Sequence, residues 1–201
     1  MAKDIRAVVA RPLVAVEAGR KVLRVGGVIQ SVAVDDEYQR DVWDAMLPER
    51  RPASALILGL GGGTTAMLLT RRWGPLPITG VEVDPSVVWL ARHEFGLSDM
   101  PHVQIEVADA FAYMRRCADR RDLICVDLYT AGKMAHGVLA GSFLRDVARC
   151  LTPEGTAVFN FWRTPYLADQ MRRLAREFAV ERVVEVDENI LVHCRPLNKT
   201  A

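Results

Sequence analysis

The sequence predicts an α/β protein: a doubly wound, seven-stranded sheet with a C-terminal antiparallel hairpin, plus a small N-terminal β-unit. Three observations predict this. From residue 54 onward, short apolar runs alternate with segments of helical spacing, the pattern of a parallel sheet with crossover helices on both faces. That rhythm breaks at "VERVVEV" and "NILVHCR", which only Asp187 and Glu188 separate. Two residues cannot hold a crossover helix, so this pair forms a hairpin. The first 34 residues carry valine-rich runs interrupted by "EAGRK" and "VGG", the turn signals of an antiparallel unit.

Each element follows from its local sequence. "AVVARPLVAVEA", "KVLRV" and "VIQSVAV" read as the N-terminal strands. "DDEYQRDVWDAML" reads as a helix, with acidic residues in its first turn and Val42, Met46 and Leu47 at helical spacing. "ALILG" is a buried strand and "TTAMLLTRRW" a helix. "PITGVEVD" is a strand, and "PSVVWLARHEF" a helix with proline in its first turn. The strand "VQIEVAD" precedes the helix "AFAYMRRCA", and the strand "DLICVDLY" precedes the helix "SFLRDVARCL". After "PEG", "TAVFNFW" is a strand and "TPYLADQMRRLAREFA" a helix.

The 201 residues suffice for one sizeable core, and half of them are hydrophobic. A formal net charge of +1 argues against a nucleic-acid footprint. The pairs Arg115/Arg116, Arg120/Arg121 and Arg172/Arg173 read as solvated helix faces. The four cysteines form no CxxC pair, so no zinc or other metal site is expected, and Cys125 reads as a core hydrophobe. "MAKDIRAVVARPLV" lacks the apolar region of a signal peptide, and no apolar run is long enough to span a bilayer. The expectation is a cytoplasmic protein without membrane contact.

Gly59, Gly61, Gly62 and Gly63 follow a strand and open a helix, the place where doubly wound sheets bind ligands. A nicotinamide fingerprint needs glycine at position 64, which is Thr64; the pattern that fits is GxGxG. Glu82 ends the next strand, where a carboxylate accepts from ribose hydroxyls. Asp109 closes the third strand and Asp127 the fourth. One acidic strand end is often a helix N-cap, and Asp109 alone could be that. Three together beside a glycine loop point to a site. An acidic rim repels pyrophosphate and suits a ligand with hydroxyls, an exocyclic amine and positive charge, as in S-adenosylmethionine.

These residues resemble the class I S-adenosylmethionine-dependent methyltransferases, with their Rossmann-like fold, and within them the spermidine synthase family and its methyltransferase-like relatives. The resemblance runs from about Val22 to the end. It rests on "LRVGGVIQSV", "LILGLGGGTT", "VEVDPSVVWLAR", "VADAFAYM" and the stretch from "VDLYTAG" to "VFNFW". It implies two domains, residues 1–50 as the N-terminal strand unit with its linking helix and 51–201 as the S-adenosylmethionine-binding domain. It implies that Gly59, Gly61 and Gly63 face the methionine part and that Glu82 holds the ribose, with Val83 against the adenine. Asp109 and Ala110 would meet the adenine edge. Asp127 would sit near the sulfonium and the acceptor, and Gln30 would reach the nucleoside from the N-terminal unit. Family members commonly self-associate, which makes a homodimer through the N-terminal strands an expectation.

The departures decide the activity expected. The family binds a cationic polyamine with two aspartates three apart at the fourth strand end; here the pair is Asp127 and Thr130. The family's Tyr-His-Glu segment reads Tyr38, Gln39, Arg40, and Gly26 replaces the aspartate of its Leu-Asp-Gly segment. The nucleoside site is retained while the polyamine site is dismantled. The reading is therefore a methyltransferase on a small-molecule acceptor. The alternatives are an aminopropyltransferase using decarboxylated S-adenosylmethionine, or a nucleoside binder without catalysis. Asp127 is the candidate for orienting or deprotonating the acceptor, with a purely positioning role weighed equally. Tyr38, Tyr129 and Thr130 are candidate acceptor contacts. Asn160 either lines the pocket or caps, and the glycine-containing loop around His136 could act as a lid, with the histidine itself read as solvated.

Overall fold

The structure is a computed structural model that describes residues 11–35, 38, 41–130 and 132–197, except the side chain of Thr130. An N-terminal sheet comprises β1 (Leu13–Glu17), β2 (Arg20–Val25) and β3 (Val28–Val32), antiparallel in that order. The main unit continues with β4 (Ala55–Leu58), α1 (Thr64–Trp73), β5 (Ile78–Glu82), α2 (Pro85–Glu94), β6 (Val103–Val107), α3 (Ala110–Arg116) and β7 (Arg121–Val126). A two-strand ribbon follows, β8 (Tyr129–Thr130) with β9 (Lys133–Met134). The chain ends with α4 (Gly141–Arg149), β10 (Leu151–Trp162), α5 (Leu167–Leu174), β11 (Phe178–Val186) and β12 (Asn189–Pro196).

The central sheet has seven strands in the order β11-β12-β10-β7-β4-β5-β6. β10, β7, β4, β5 and β6 run parallel, and β12 and β11 close the sheet as the expected antiparallel hairpin. Its core shows why β4 reads as a continuous apolar run. Ala55 and Ile57 pack on one face with Leu69 and Ala91, whereas Leu56 and Leu58 pack on the other with Met114 and Phe143. Successive side chains point to opposite faces, so a strand covered on both sides has no polar position to spare.

Three expectations change. The helix expected over 35–47 is only a 3-10 turn, Val42–Met46. Asp41 caps it, Asp44 reaches back to the Asp41 N–H, and extended Leu47 ends it before Pro48. Asp36, Glu37, Gln39 and Arg40 lie outside the described residues. "PEG" does not separate α4 from the next strand: it lies within β10, where the register against β7 shifts between Leu151 and Thr156. The N-terminal valine run is a strand only over Leu13–Glu17, and residues 1–10 lie outside the described residues.

The N-terminal sheet is stitched to the start of α1. The Val32 N–H donates to Thr64 Oγ1 at 2.9 Å, and the Thr64 hydroxyl donates back to the Val32 carbonyl at 2.7 Å. Beside them, the Gly62 N–H donates to Ser31 Oγ at 2.7 Å. Thr64 is 1% exposed, so no water replaces its hydroxyl. Thr64→Val keeps the shape and leaves both Val32 groups unmet. It should cost about 2 kcal/mol of stability, read as a lowered urea midpoint. An unchanged midpoint would show that the stitch carries no stability.

Candidate nucleoside site

The carboxyl ends of β4, β5, β6 and β7 open into one cleft of about 350 Å³, within the range of about 300–1,000 Å³ usual for small-molecule sites. Gln30, Gly59, Gly61, Glu82, Val83, Asp109, Ala110, Asp127 and Tyr129 all line it, so nine of the twelve residues singled out in the sequence share a cavity. The other three do not join them. Gly63 turns toward Leu97, the Tyr38 hydroxyl donates to Asp44 at 2.6 Å, and Thr130 has its side chain outside the described residues.

Glu82 is held rigidly at the end of β5. One of its oxygens accepts from the Gly61 N–H at 3.0 Å, and the other accepts from the N–H groups of Val83 (2.9 Å) and Asp84 (3.1 Å). A carboxylate fixed by backbone donors keeps its remaining lone pairs aimed at fixed points, as binding vicinal hydroxyls requires. Next to it Val83 is 65% exposed, an apolar side chain turned into the cleft mouth. Asp109 does two things at once: its carboxylate caps α3 by accepting from the Ala112 N–H at 2.7 Å, and it lines the cleft.

The glycines approach protein before they approach any ligand. Gly59 has φ +87°, and a Cβ there would lie 2.1 Å from the Asp127 carbonyl oxygen. Only glycine lets β4 turn while β7 ends beside it. Gly63, at φ +90°, would place a Cβ 2.5 Å from the Leu97 side chain. The glycine pattern thus records close packing at the strand ends, and that packing brings Glu82 and Asp127 to one rim.

Asp127 occupies the far end of the cleft. Asn160 Nδ2, from β10, donates to its Oδ1 at 2.9 Å, and the polar Trp43 side chain nearby also favours the charged form. Burial nevertheless wins over these two influences and pushes the carboxyl up to about 6. Tyr129 donates its hydroxyl to the Asn160 carbonyl at 3.1 Å and packs on Trp162, ring centroids 5.5 Å apart. Burial raises its phenol too. Beyond Asp127 lies a second, smaller chamber of about 90 Å³, which shares Gln30, Asp127 and Tyr129 with the main cleft. Its other walls include Val42, Trp43, Asn160, Trp162 and Asn189.

Residues 5–186 match the profile of the spermine/spermidine synthase domain. The chain belongs to that family. It is 27% identical over 170 residues to a polyamine aminopropyltransferase of Sodalis glossinidius, covering 79% of this chain and 59% of that protein. It is 30% identical over 120 residues to the bovine (Bos taurus) eEF1A lysine and N-terminal methyltransferase, covering 54% of this chain and 17% of that protein. The chain therefore spans less than two thirds of the length of these curated relatives. In structure it is similar to a probable spermidine synthase from Corynebacterium glutamicum, with a TM-score of 0.75 and 20% identity over 92% of this chain and 76% of that one. It is also similar to human methyltransferase-like protein 13 in complex with SAH, with a TM-score of 0.62 and 24% identity over 79% of this chain and 80% of that one. At these identities the solved structures bear on the fold alone. The family includes enzymes that transfer methyl groups and enzymes that transfer aminopropyl groups.

Sequence reasoning missed Trp43, which lies in the segment taken for a longer helix. The one signal was a tryptophan between two aspartates, in "RDVWDAM". It also missed the β8–β9 ribbon, whose two-residue strands are too short for any period to show.

The raised carboxyl has a consequence for stability. Asp127 holds its proton more tightly in the folded chain, so its contribution is favourable in acid and is lost as pH rises through about 4 to 6. Asp127→Asn should therefore stabilise the protein at pH 8 by about 1–2 kcal/mol, a gain that disappears below about pH 4. Thermal unfolding at both pH values reads this directly. A variant less stable than the parent at pH 8 would contradict it.

Proposed function

We propose that the protein is an S-adenosylmethionine-dependent methyltransferase acting on a small-molecule acceptor. The observation that supports this reading is the chamber beyond Asp127. Among its described lining residues Asp127 is the sole carboxylate, and two tryptophans and a tyrosine wall it. A dicationic polyamine held there would leave one charge without a partner, at a cost of several kcal/mol if the charge is desolvated.

The cofactor fits the cleft on the chemistry of its lining. Glu82, Asp84, Asp109 and Asp127 gather at the rim, and no lysine or arginine is among the described lining residues. Such a field favours a positively charged sulfur over a pyrophosphate. Glu82 would hold the ribose hydroxyls, Asp109 and Ala110 the adenine edge, and Val83 and Phe111 the apolar faces. Bound there, S-adenosylmethionine supplies a methyl group on a sulfonium.

The chain's own part is positioning and proton transfer. The Asn160 amide fixes Asp127 between the two cavities, and fixed alignment of reactants is worth about 7–11 kcal/mol of barrier. A carboxyl raised to about 6 is a better base than a solvated one and remains ionised at neutral pH. It can therefore orient an acceptor and take its proton.

One observation favours a second reading. The lack of a basic residue among the described cleft residues leaves the α-carboxylate of S-adenosylmethionine without a cation, which suits the decarboxylated form used in aminopropyl transfer. Incubation with decarboxylated S-adenosylmethionine and putrescine, followed by chromatography of the amines, separates the two. We expect no spermidine. Spermidine formed with repeated turnover would overturn the methyltransferase reading.

A further inference from the structure

The 3-10 turn Val42–Met46 carries Trp43 into the wall of the chamber, where it stands with Asp127. Trp43 is buried, so its ring goes where the turn goes. The start of the turn is well fixed: Asp41 caps it, and the Arg20 guanidinium pairs with Asp41 at 3.1 Å. The other end stops at extended Leu47, and a helix that stops leaves its last carbonyls to find partners elsewhere. They find them in the sheet. His193 Nε2, from β12, donates to the Ala45 carbonyl at 2.7 Å, and Arg182 Nη2, from β11, donates to the Leu47 carbonyl at 3.3 Å. Between them the Cys125 thiol, from β7, meets the Met46 carbonyl at 3.9 Å.

The terminal hairpin places both long-range donors by register. Leu191 packs in the core that holds Trp43, whereas Ile190, Val192 and Cys194 enter the opposite one, so the alternation of β12 turns His193 toward the turn. Arg182 lies directly opposite His193 on β11, just after a register shift. Donation to Ala45 puts the ring proton of His193 on Nε2 and leaves Nδ1 bare, 3.4 Å from Arg182 Nη2. A second ring proton would set an imidazolium against a guanidinium. Burial does most to hold the ring below the usual histidine range; the Ala45 carbonyl opposes it, and Arg182 adds to it. Glu49 and Glu181 pull the other way, but Glu181 also pairs with Arg195 at 2.7 Å and Glu49 with Arg182 at 3.5 Å. The remaining charges of the cleft behind the turn are Arg50, Arg51, Asp122 and Glu154. Of these, Asp122 accepts from the Ala53 N–H and the Thr152 hydroxyl, and Glu154 pairs with Arg195.

Resting on the reading above that the chamber takes the acceptor, we infer that His193 and Arg182 are positioning residues for it: they clamp the turn that holds Trp43 beside Asp127, and protonation of His193 opens the clamp. Neither residue is among the described lining residues of the chamber, so both act through Trp43. The clamp is closed while His193 is neutral. As pH falls through the proton affinity of the ring, the imidazolium repels Arg182, Arg182 gives up the Leu47 carbonyl, and the turn loses its hold on that side. The chamber is thereby tied to a histidine on its far side, in the terminal hairpin.

The test follows the indole N–H resonance of Trp43 in the full chain, assigned by its loss in Trp43→Phe. Asp127 titrates near that ring, so the pH series is run in Asp127→Asn. The Trp43 signal should move with a single midpoint below about 6.5. Adding His193→Gln should abolish the movement and leave the signal at its alkaline position, because glutamine still offers an N–H to Ala45 and takes up no proton. Arg182→Met should raise the midpoint. With Asp127 intact, its carboxyl carbon gives a second reading. His193→Leu leaves the Ala45 carbonyl unmet and should raise the Asp127 midpoint, and His193→Gln should bring it back toward the parent; a merely structural role would leave it unmoved. A Trp43 signal that titrates without His193, or one that does not titrate with it, would overturn the inference, and this series decides alone if His193→Leu does not fold. S-adenosylhomocysteine should bind the parent and His193→Gln alike by calorimetry. If it fails to bind the parent, the cofactor reading fails and the clamp loses its acceptor; if it binds but Trp43 ignores His193, only this inference fails.

Discussion

The site depends on the close docking of β3 against the loop that opens α1. Thr64 and Val32 exchange two hydrogen bonds, and Ser31 accepts from Gly62. The loop can receive Ser31 only because Gly61 carries no side chain: a Cβ there would lie 2.7 Å from the Ser31 hydroxyl. That single contact sets two things. It delivers Gln30 into the cleft, and it fixes the loop whose Gly61 N–H anchors Glu82. The docking adds polar register to an apolar contact, because Val22, Leu23 and Val32 of the N-terminal sheet are buried in the same core as Leu69, Ala91 and Phe95.

From that docking the acidic rim acquires its gradient. Glu82 is satisfied by three backbone N–H groups, and Asp109 is spent partly on a helix cap. Asp127 accepts from the Asn160 amide, but burial dominates its proton affinity. Three carboxylates at the ends of neighbouring strands thus differ in role because their surroundings differ. The two outer ones are suited to binding, and the inner one is suited to handling a proton. The cost of holding a charge at that depth falls on the fold, as is common where a site must remain reactive.

Much of this was legible in the sequence because it rests on local signals. Strand ends followed by helices place Glu82, Asp109 and Asp127 on one rim from topology alone, and the two-residue link at Asp187 and Glu188 fixes the terminal hairpin. What escaped depends on tertiary contact. The glycine pattern announces close approach but not its object, which proves to be the Asp127 carbonyl, Ser31 and Leu97. Trp43 is drawn to Asp127 across the fold, from a 3-10 turn whose periodicity resembles the start of a longer helix. The bond from His193 to the Ala45 carbonyl has no sequence signature, since 148 residues separate its partners.

The central claim is that this rim holds an adenosyl sulfonium with its sugar on Glu82 and its sulfur toward Asp127. A crystal structure of the full chain with S-adenosylhomocysteine tests it most directly. The account predicts both ribose hydroxyls on the Glu82 carboxylate, the adenine between Val83 and Phe111, and the sulfur at the opening into the chamber beside Asp127. A nucleoside bound elsewhere, or bound in the cleft with its adenine against Asp127, would contradict it.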